Sequence, residues 1–241
     1  MQPRFLRQAT IRSSPRLQQQ ATAYDLPLYL TDWTLPFTRP VTCLIGDNGV
    51  GKSVLLEGLA RCLGFDAAGG PLSVNPQRTL PQDIFFEDEL RVIRHFHRPK
   101  SSYFFRAETF HQLASYIDDT GYLGGYGGVP LHRLSHGQAF MTLLQHKFNA
   151  DGLYLLDEPE AALSPMLQLA AARLIYELAC QGAQFIIVTH SPVLMAIPDA
   201  SLLQLQRDSI QPVAYQDTEH YIVMKRFYSD TDAYLRHHLG W

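Results

Sequence analysis

The chain has 241 residues, 46% of them hydrophobic and 18% charged, with a formal net charge of −3. That balance excludes wholesale disorder and supplies enough apolar side chains for an α/β domain. It lacks the basic excess of a dedicated nucleic-acid binder. Three widely spaced cysteines, Cys43, Cys62 and Cys180, fit neither a disulfide framework nor a zinc cluster and are expected as buried, reduced thiols of a cytoplasmic protein. No run approaches the ~20 apolar residues of a membrane span. The longest candidate, Phe185 to Pro198, is broken by Thr189, His190, Ser191 and Pro192.

In chain order, the basic, Gln-rich N-terminus lacks the apolar core of a secretory signal and reads as a strand followed by a loose segment. Residues 38–46 read as a β-branched, apolar strand ending in glycine, and 52–64 as a helix stopped by Gly64. Glycines and prolines make 65–83 a loop or insert. A helix is expected over Glu87 to His97, a buried strand over 102–108 and a short helix over 109–118. GYLGGYGG at 121–128 is a loop. A helix follows at 135–149, then an apolar strand at 152–159 that carries two acids. A helix at 164–181 has Pro165 in its first turn, and a buried strand lies at 183–190. Residues 201–215 read as a hairpin turning near Asp208. One or two terminal helices come last, with Asp217 or Thr218 and then Ser229 as N-caps. Apolar strands alternating with helices predict an α/β fold: a mostly parallel sheet covered on both faces, with an antiparallel N-terminal portion. Ligands in such sheets gather at the C-terminal strand ends, here after Ile45, Leu156 and Val188.

The chemistry-bearing residues lie at those ends. Gly46-Asp47-Asn48-Gly49-Val50-Gly51-Lys52-Ser53 satisfies every fixed position of G-x-x-x-x-G-K-[ST], with a strand running in and a helix running out through Val54. Glycines allow successive backbone N–H groups to wrap phosphates. The helix N-terminus favours an anion, Lys52 reaches the β- and γ-phosphates, and Ser53 can ligate Mg²⁺. Asp157 and Glu158 end an apolar strand. Because successive strand residues face opposite ways, Asp157 suits a metal shell and Glu158 an attacking water. Leu134-Ser135-His136-Gly137-Gln138 opens a helix with a second potential anion site, or with an ordinary serine cap. His190 ends a buried strand, where a histidine can be structural or can contact a γ-phosphate.

Together the four segments resemble the ATP-binding cassette (ABC) ATPase superfamily. Residues 46–53 look like its Walker A, 134–138 like its LSGGQ signature with His136 in place of a glycine, 154–158 like its Walker B, and His190 like its switch histidine. Asp157 follows Ser135 by 22 residues, and His190 follows Glu158 by 32. Ser164 stands where the family has its D-loop aspartate. DEPEAALSP and QFIIVTHSP, with the tail Asp217-Thr218-Glu219-His220-Tyr221, are similar to the short soluble "AAA family" and recombination-type ATPases. In the place of a Q-loop glutamine stands Phe105-Arg106-Ala107-Glu108-Thr109, and Glu108 is assigned there as a metal or water contact. Tyr24, Tyr29, Trp33 and Phe37 are candidates for stacking on adenine or for the core.

The resemblance implies a single ABC-type domain over residues 1–241, without a long coiled coil in the interval from Val54 to Arg133 and without a nuclease domain after His190. It implies ATP and Mg²⁺ as ligands. Residues 46–54 with Ser135, Gly137 and Gln138 would bind nucleotide. Ser53, Asp157 and Glu108 would serve the metal, and Glu158 and His190 the reaction. It further implies a head-to-tail homodimer in which the signature of one chain closes the site of the other. DNA or a separate effector protein is the expected partner, in repair or phage defence. A transporter subunit is the alternative, and a phosphotransferase would leave the signature and His190 unexplained.

Overall fold

The computed structural model describes residues 2–72, 88–110, 130 and 133–240. The expected loop at 121–128, the expected loop or insert at 65–83 from residue 73 on, and the expected helix at 109–118 from residue 111 on lie outside the described residues. Strand β1 (Leu6–Ile11) leads to helix α1 (Pro15–Ala23), whose first turn is capped by Ser14. The expected loose segment is therefore helical: serine at the cap and proline at the first position are start signals that its glutamines masked. After a 3-10 turn at Pro27–Leu30 come β2 (Trp33–Pro36), β3 (Val41–Ile45), α2 (Lys52–Leu63), β4 (Gly70–Pro71), β5 (Leu90–Arg94) and β6 (Ser101–Arg106). Next are α3 (His136–Lys147), β7 (Gly152–Asp157), a 3-10 turn at Pro159–Ala162, α4 (Pro165–Gln181), β8 (Gln184–Val188) and α5 (Pro192–Met195). The chain closes with β9 (Ser201–Leu205), β10 (Ile210–Pro212), a 3-10 turn at Tyr215–Asp217, α6 (Glu219–Ser229) and α7 (Thr231–Leu239).

Two sheets form among the described residues. The larger has the order β10-β9-β3-β8-β7-β6-β4. Its five central strands run parallel, and β4 and β10 pair antiparallel at the two edges. The smaller, β2-β1-β5, is antiparallel throughout. In β3, Val41, Cys43 and Ile45 face one core with Phe140, Leu144, Ile175 and Ile187, beneath α3 and α4. Leu44 faces the other core, where Leu55, Leu59 and Leu203 pack with Leu6, Ile11 and Leu35 of the small sheet. The large sheet is thus covered on both faces, as its uninterrupted apolar strands require.

Three sequence expectations are corrected. Residues 90–94 are a strand rather than part of a helix over 87–97, because Leu90 to Arg94 pair with β1. Alternating charged and β-branched residues in so short a run suit a sheet edge as well as a helix face. The strand expected to 108 stops at Arg106, and residues 107–110 are helical. Asp230, not Ser229, caps α7, its carboxylate accepting from Ala233 N–H at 3.0 Å, while Ser229 donates back to the Lys225 carbonyl. Of the three free thiols only Cys43 is buried; Cys62 is half-buried and Cys180 exposed.

A single side chain fastens the small sheet to the large one. Gln184, fully buried on β8, accepts from Phe5 N–H at 3.0 Å and Leu6 N–H at 2.8 Å, and donates to the Leu6 carbonyl at 3.0 Å. Its amide supplies donor and acceptor together, which no carboxylate or apolar side chain does. Gln184→Leu strands three buried backbone groups and is expected to cost about 2–4 kcal/mol. Urea unfolding with an unchanged slope and a lowered midpoint is the expected reading.

Candidate functional site

The phosphate-loop segment turns sharply because glycine takes positive φ at Gly46 (142°), Gly49 (83°) and Gly51 (94°). At Gly46 a Cβ would overlap the Leu205 carbonyl oxygen of the neighbouring β9, and at Gly51 it would meet the Tyr29 ring at 2.8 Å. Gly51 precedes α2 without a side-chain cap, so the first N–H groups of that helix have neither an intrahelical acceptor nor a capping side chain. Asp47, Asn48 and Gly49 are exposed, whereas the side chains of Val50 and Val54 pack against the core. Lys52, 5% exposed, donates from Nζ to the carbonyls of Gly46 and Asp47, each at 2.8 Å. Burial lowers its pKa against the opposing pull of Glu158, Asp47, Asp157 and Glu160. Four nearby carboxylates thus hold a half-desolvated ammonium beside the loop.

Ser53 donates to Asp157 Oδ1 at 2.9 Å and so ties the loop to the end of β7. Burial raises the Asp157 pKa to about 6, opposed by the Ser53 bond and Arg106 and assisted by Glu158 and Glu108. Arg106, at the end of β6, places Nε 3.6 Å from Asp157 Oδ2, donates from Nη1 to Glu57 at 2.9 Å and to the Ala67 carbonyl at 3.0 Å. Ser53, Glu108, Asp157, Glu158 and His136 line one cavity of about 250 Å³. Among the described residues no group of three or more His, Cys, Asp or Glu side chains forms a ready-made metal site. One serine hydroxyl, one buried carboxylate and carboxylates at the rim nevertheless fit magnesium, which takes one or two protein oxygens and completes its shell with phosphate and water.

Glu158 has φ +47°, a left-handed conformation uncommon outside glycine, and its N–H donates to the Val188 carbonyl at 2.9 Å. Such a backbone costs on the order of 1–2 kcal/mol; here it turns the chain out of β7 with the Glu158 side chain half-exposed at the cavity. His190 follows β8, its Nε2 3.9 Å from Glu158 Oε1. Burial and Lys52 lower its pKa, against the opposing pull of Glu158 and Asp47. Glu160 is committed elsewhere. Its Oε1 accepts from His190 N–H and, at 3.1 Å, from Ser191 N–H. Through Oε1 it braces the turn after β8.

At the start of α3, Ser135 and Gln138 form a capping box: Ser135 Oγ accepts from Gln138 N–H at 3.3 Å, and Gln138 Oε1 accepts from Ser135 N–H at 3.0 Å. A hydroxyl that accepts at a cap still has a proton to donate, so cap and anion contact are compatible. Gly137 packs on the 159–162 turn, where a Cβ would meet the Ala162 carbonyl at 2.7 Å. Tyr29 and Phe37 are buried, and Tyr29 donates to the Gly51 carbonyl at 2.8 Å. Both therefore leave the set of adenine candidates. Trp33 is half-buried against Tyr29, and Tyr24 is exposed.

Sequence reasoning missed three residues of this neighbourhood: Arg106 beside Asp157, Glu160 beneath His190, and His220. Arg106 and Glu160 each lie two residues from an assigned group, and a buried charge so placed is itself a signal. His220 comes from another part of the chain and had none beyond its place in the tail at 217–221.

Residues 28–107 match the family model described as "AAA domain", and residues 85–196 the one described as "AAA domain, putative AbiEii toxin, Type IV TA system". Together the two matches span residues 28–196, which include the phosphate-loop segment, the end of β7 and His190. The chain is similar to the SMC head domain from Thermotoga maritima, at 15% identity and TM-score 0.48, over 89% of this chain and 100% of that one. It is also similar to cbiO1 from Clostridium perfringens, part of the ABC transporter complex cbiONQ, at 18% identity and TM-score 0.49, over 85% and 90%. No curated protein matches it in sequence. No helix among the described residues is long and apolar enough to cross a membrane.

Glu160→Ala removes the acceptor of two backbone donors. Amide exchange at His190 is expected to quicken at least about tenfold, following a local loss of about 1–3 kcal/mol, and less at Ser191, whose N–H also donates to Thr189 Oγ1 at 3.0 Å. Exchange at Ile186, in the middle of β8, should change far less.

Proposed function

We propose that the chain binds ATP with Mg²⁺ on residues 46–54 and hydrolyses it between the phosphate loop and the end of β7. The observation that carries this reading is the Ser53–Asp157 hydrogen bond, which brings the two halves of a phosphoryl-transfer site to one point. Backbone N–H groups of the loop and of the first turn of α2 would take the β-phosphate, and Lys52 would exchange its two carbonyl partners for β- and γ-oxygens. Ser53 and Asp157 would hold the magnesium ion, with Glu108 at the rim; the ion supplies charge neutralisation on the phosphates. Glu158 is the group that orients and polarises the attacking water, and His190 Nε2–H donates to the γ-phosphate. Catalysis is then positioning and electrostatics, with the carboxylate acting on water and not on phosphorus.

The active unit is a head-to-tail homodimer in this reading. Ser135, Gly137 and Gln138 at the α3 N-terminus of one copy close on the γ-phosphate held by the other. ATP closes the pair and hydrolysis opens it. The output goes to a separate effector, with DNA repair or phage defence as its setting; DNA-stimulated turnover is the measurement that supports the former.

Lys52→Ala is expected to weaken ATP binding about 10- to 100-fold, through loss of a charge-assisted bond. Glu158→Gln should keep binding yet lose about 100-fold or more in single-turnover hydrolysis. Titration with a fluorescent ATP analogue beside single-turnover assays separates the two, and wild-type turnover in Glu158→Gln would reassign the water-orienting role. Ser135→Arg should bind ATP as a monomer and fail to dimerise with ATP and Mg²⁺ in light scattering.

A further inference from the structure

The ring of His190 is held on its far side by a second histidine. Nδ1 of His190 lies 3.4 Å from Nε2 of His220, with the ring centroids 5.5 Å apart. The other nitrogen, Nε2, is buried without a hydrogen-bond partner among the described residues and looks toward Glu158. His220 occupies the first turn of α6, whose position is set by a buried cap. Thr218, 1% exposed, accepts from Tyr221 N–H at 3.2 Å and donates to the Tyr215 carbonyl at 2.7 Å. Val213 and Tyr215, just before it, pack on the core. Helices α6 and α7 bury no residue of their own. Their first turn is therefore where they meet the body of the protein, and His220 is the polar group they bring to it.

A neutral imidazole carries one N–H and one bare nitrogen. Two such rings share a hydrogen bond in one of two ways. If His190 donates from Nδ1, its bare Nε2 faces the Glu158 carboxylate, and two acceptors repel. If His220 donates from Nε2, the His190 proton sits on Nε2 and faces that carboxylate favourably. The charged groups around the pair are Lys52, Glu158, Asp47 and Glu219, and the carboxylate nearest Nε2 selects the second arrangement. We propose that His220 is a positioning residue: donating from Nε2 to Nδ1 of His190, it fixes His190 as the Nε2–H tautomer, the only neutral form able to donate to a γ-phosphate. This rests on the reading of His190 as the γ-phosphate contact. It gives the C-terminal helices a direct tie to the nucleotide site.

Two-bond ¹H–¹⁵N correlation spectra of the histidine rings, recorded on nucleotide-free protein at pH 8, test the bond without ATP. Wild type should show His190 as the Nε2–H tautomer. His220→Phe should show a mixture, and His220→Gln, whose amide can still donate, should keep the wild-type pattern. In steady-state hydrolysis, His220→Phe should lose about tenfold in kcat with KM for ATP within about twofold, since a tautomer mixture leaves part of the population competent. His220→Gln should recover most of that loss. An Nδ1–H tautomer in the wild type overturns the proposal, and so does a His220→Phe variant with unchanged spectrum and kcat. A wild-type chain with the expected spectrum and no ATP turnover would overturn the ATPase reading while leaving the His190–His220 bond standing.

Discussion

The register of the parallel ladder is the constraint on which the site depends. Leu44 of β3 pairs with Val188 of β8, Val188 with Asp157 of β7, and Asp157 with Arg106 of β6. These four residues form one line across the sheet, so the chain leaves four strands at the same height. Each strand delivers a different chemical instrument at its end: a glycine loop with Lys52, a braced turn with His190, the half-exposed Glu158, and the segment carrying Glu108. A shift of one residue in any of these pairings would reverse which side chains face the helices and raise or lower one instrument by about 3.3 Å.

Around that line the charges are arranged so that none is isolated. Asp157 is buried and costly as an anion, and it is answered by the Ser53 hydroxyl and, at longer range, by Arg106. Arg106 is itself answered by Glu57 on α2, which also pairs with Arg61 one turn on at 3.0 Å. This chain of partners runs from the surface of α2 to the centre of the sheet edge. Removing one member of such a chain leaves its neighbour buried and unpaired, which costs more than the pair itself contributes. Burial that pushes the Asp157 pKa up to about 6 marks a place where a further positive charge is favourable.

Much of this was legible in the sequence, because the signals were local. Strands β3, β7 and β8 announce themselves as apolar runs, and each ends beside candidate site residues. Gly51, Lys52 and Ser53 follow a strand and open a helix, a context that a chance match seldom reproduces. The failures came where the deciding contact is distant. Leu90 to Arg94 become a strand because β1, some eighty residues earlier, offers an edge to pair with. Glu160 lies two residues after Glu158 in sequence, yet its Oε1 is bound beneath the His190 turn. His220 gains meaning only because Thr218 anchors the helix that carries it next to His190. In each case a local pattern admitted two readings, and tertiary hydrogen bonding chose one.

The order of strands in the large sheet has a consequence for the birth of the molecule. β8 lies between β3 and β7, so until β8 exists β7 can pair only with β6 and β3 has no partner in the sheet. The phosphate loop leaves the ribosome near residue 50, and residue 188 follows roughly ten to thirty seconds later at ordinary elongation rates. Until then the glycine loop and the acid that ends β7 belong to separate pieces of a nascent chain. The same strand carries Gln184, so the N-terminal sheet also waits for it. One late segment of five residues joins the halves of the site and docks the first strand of the protein, and a chain arrested before it would hold a complete nucleotide motif with no site to belong to.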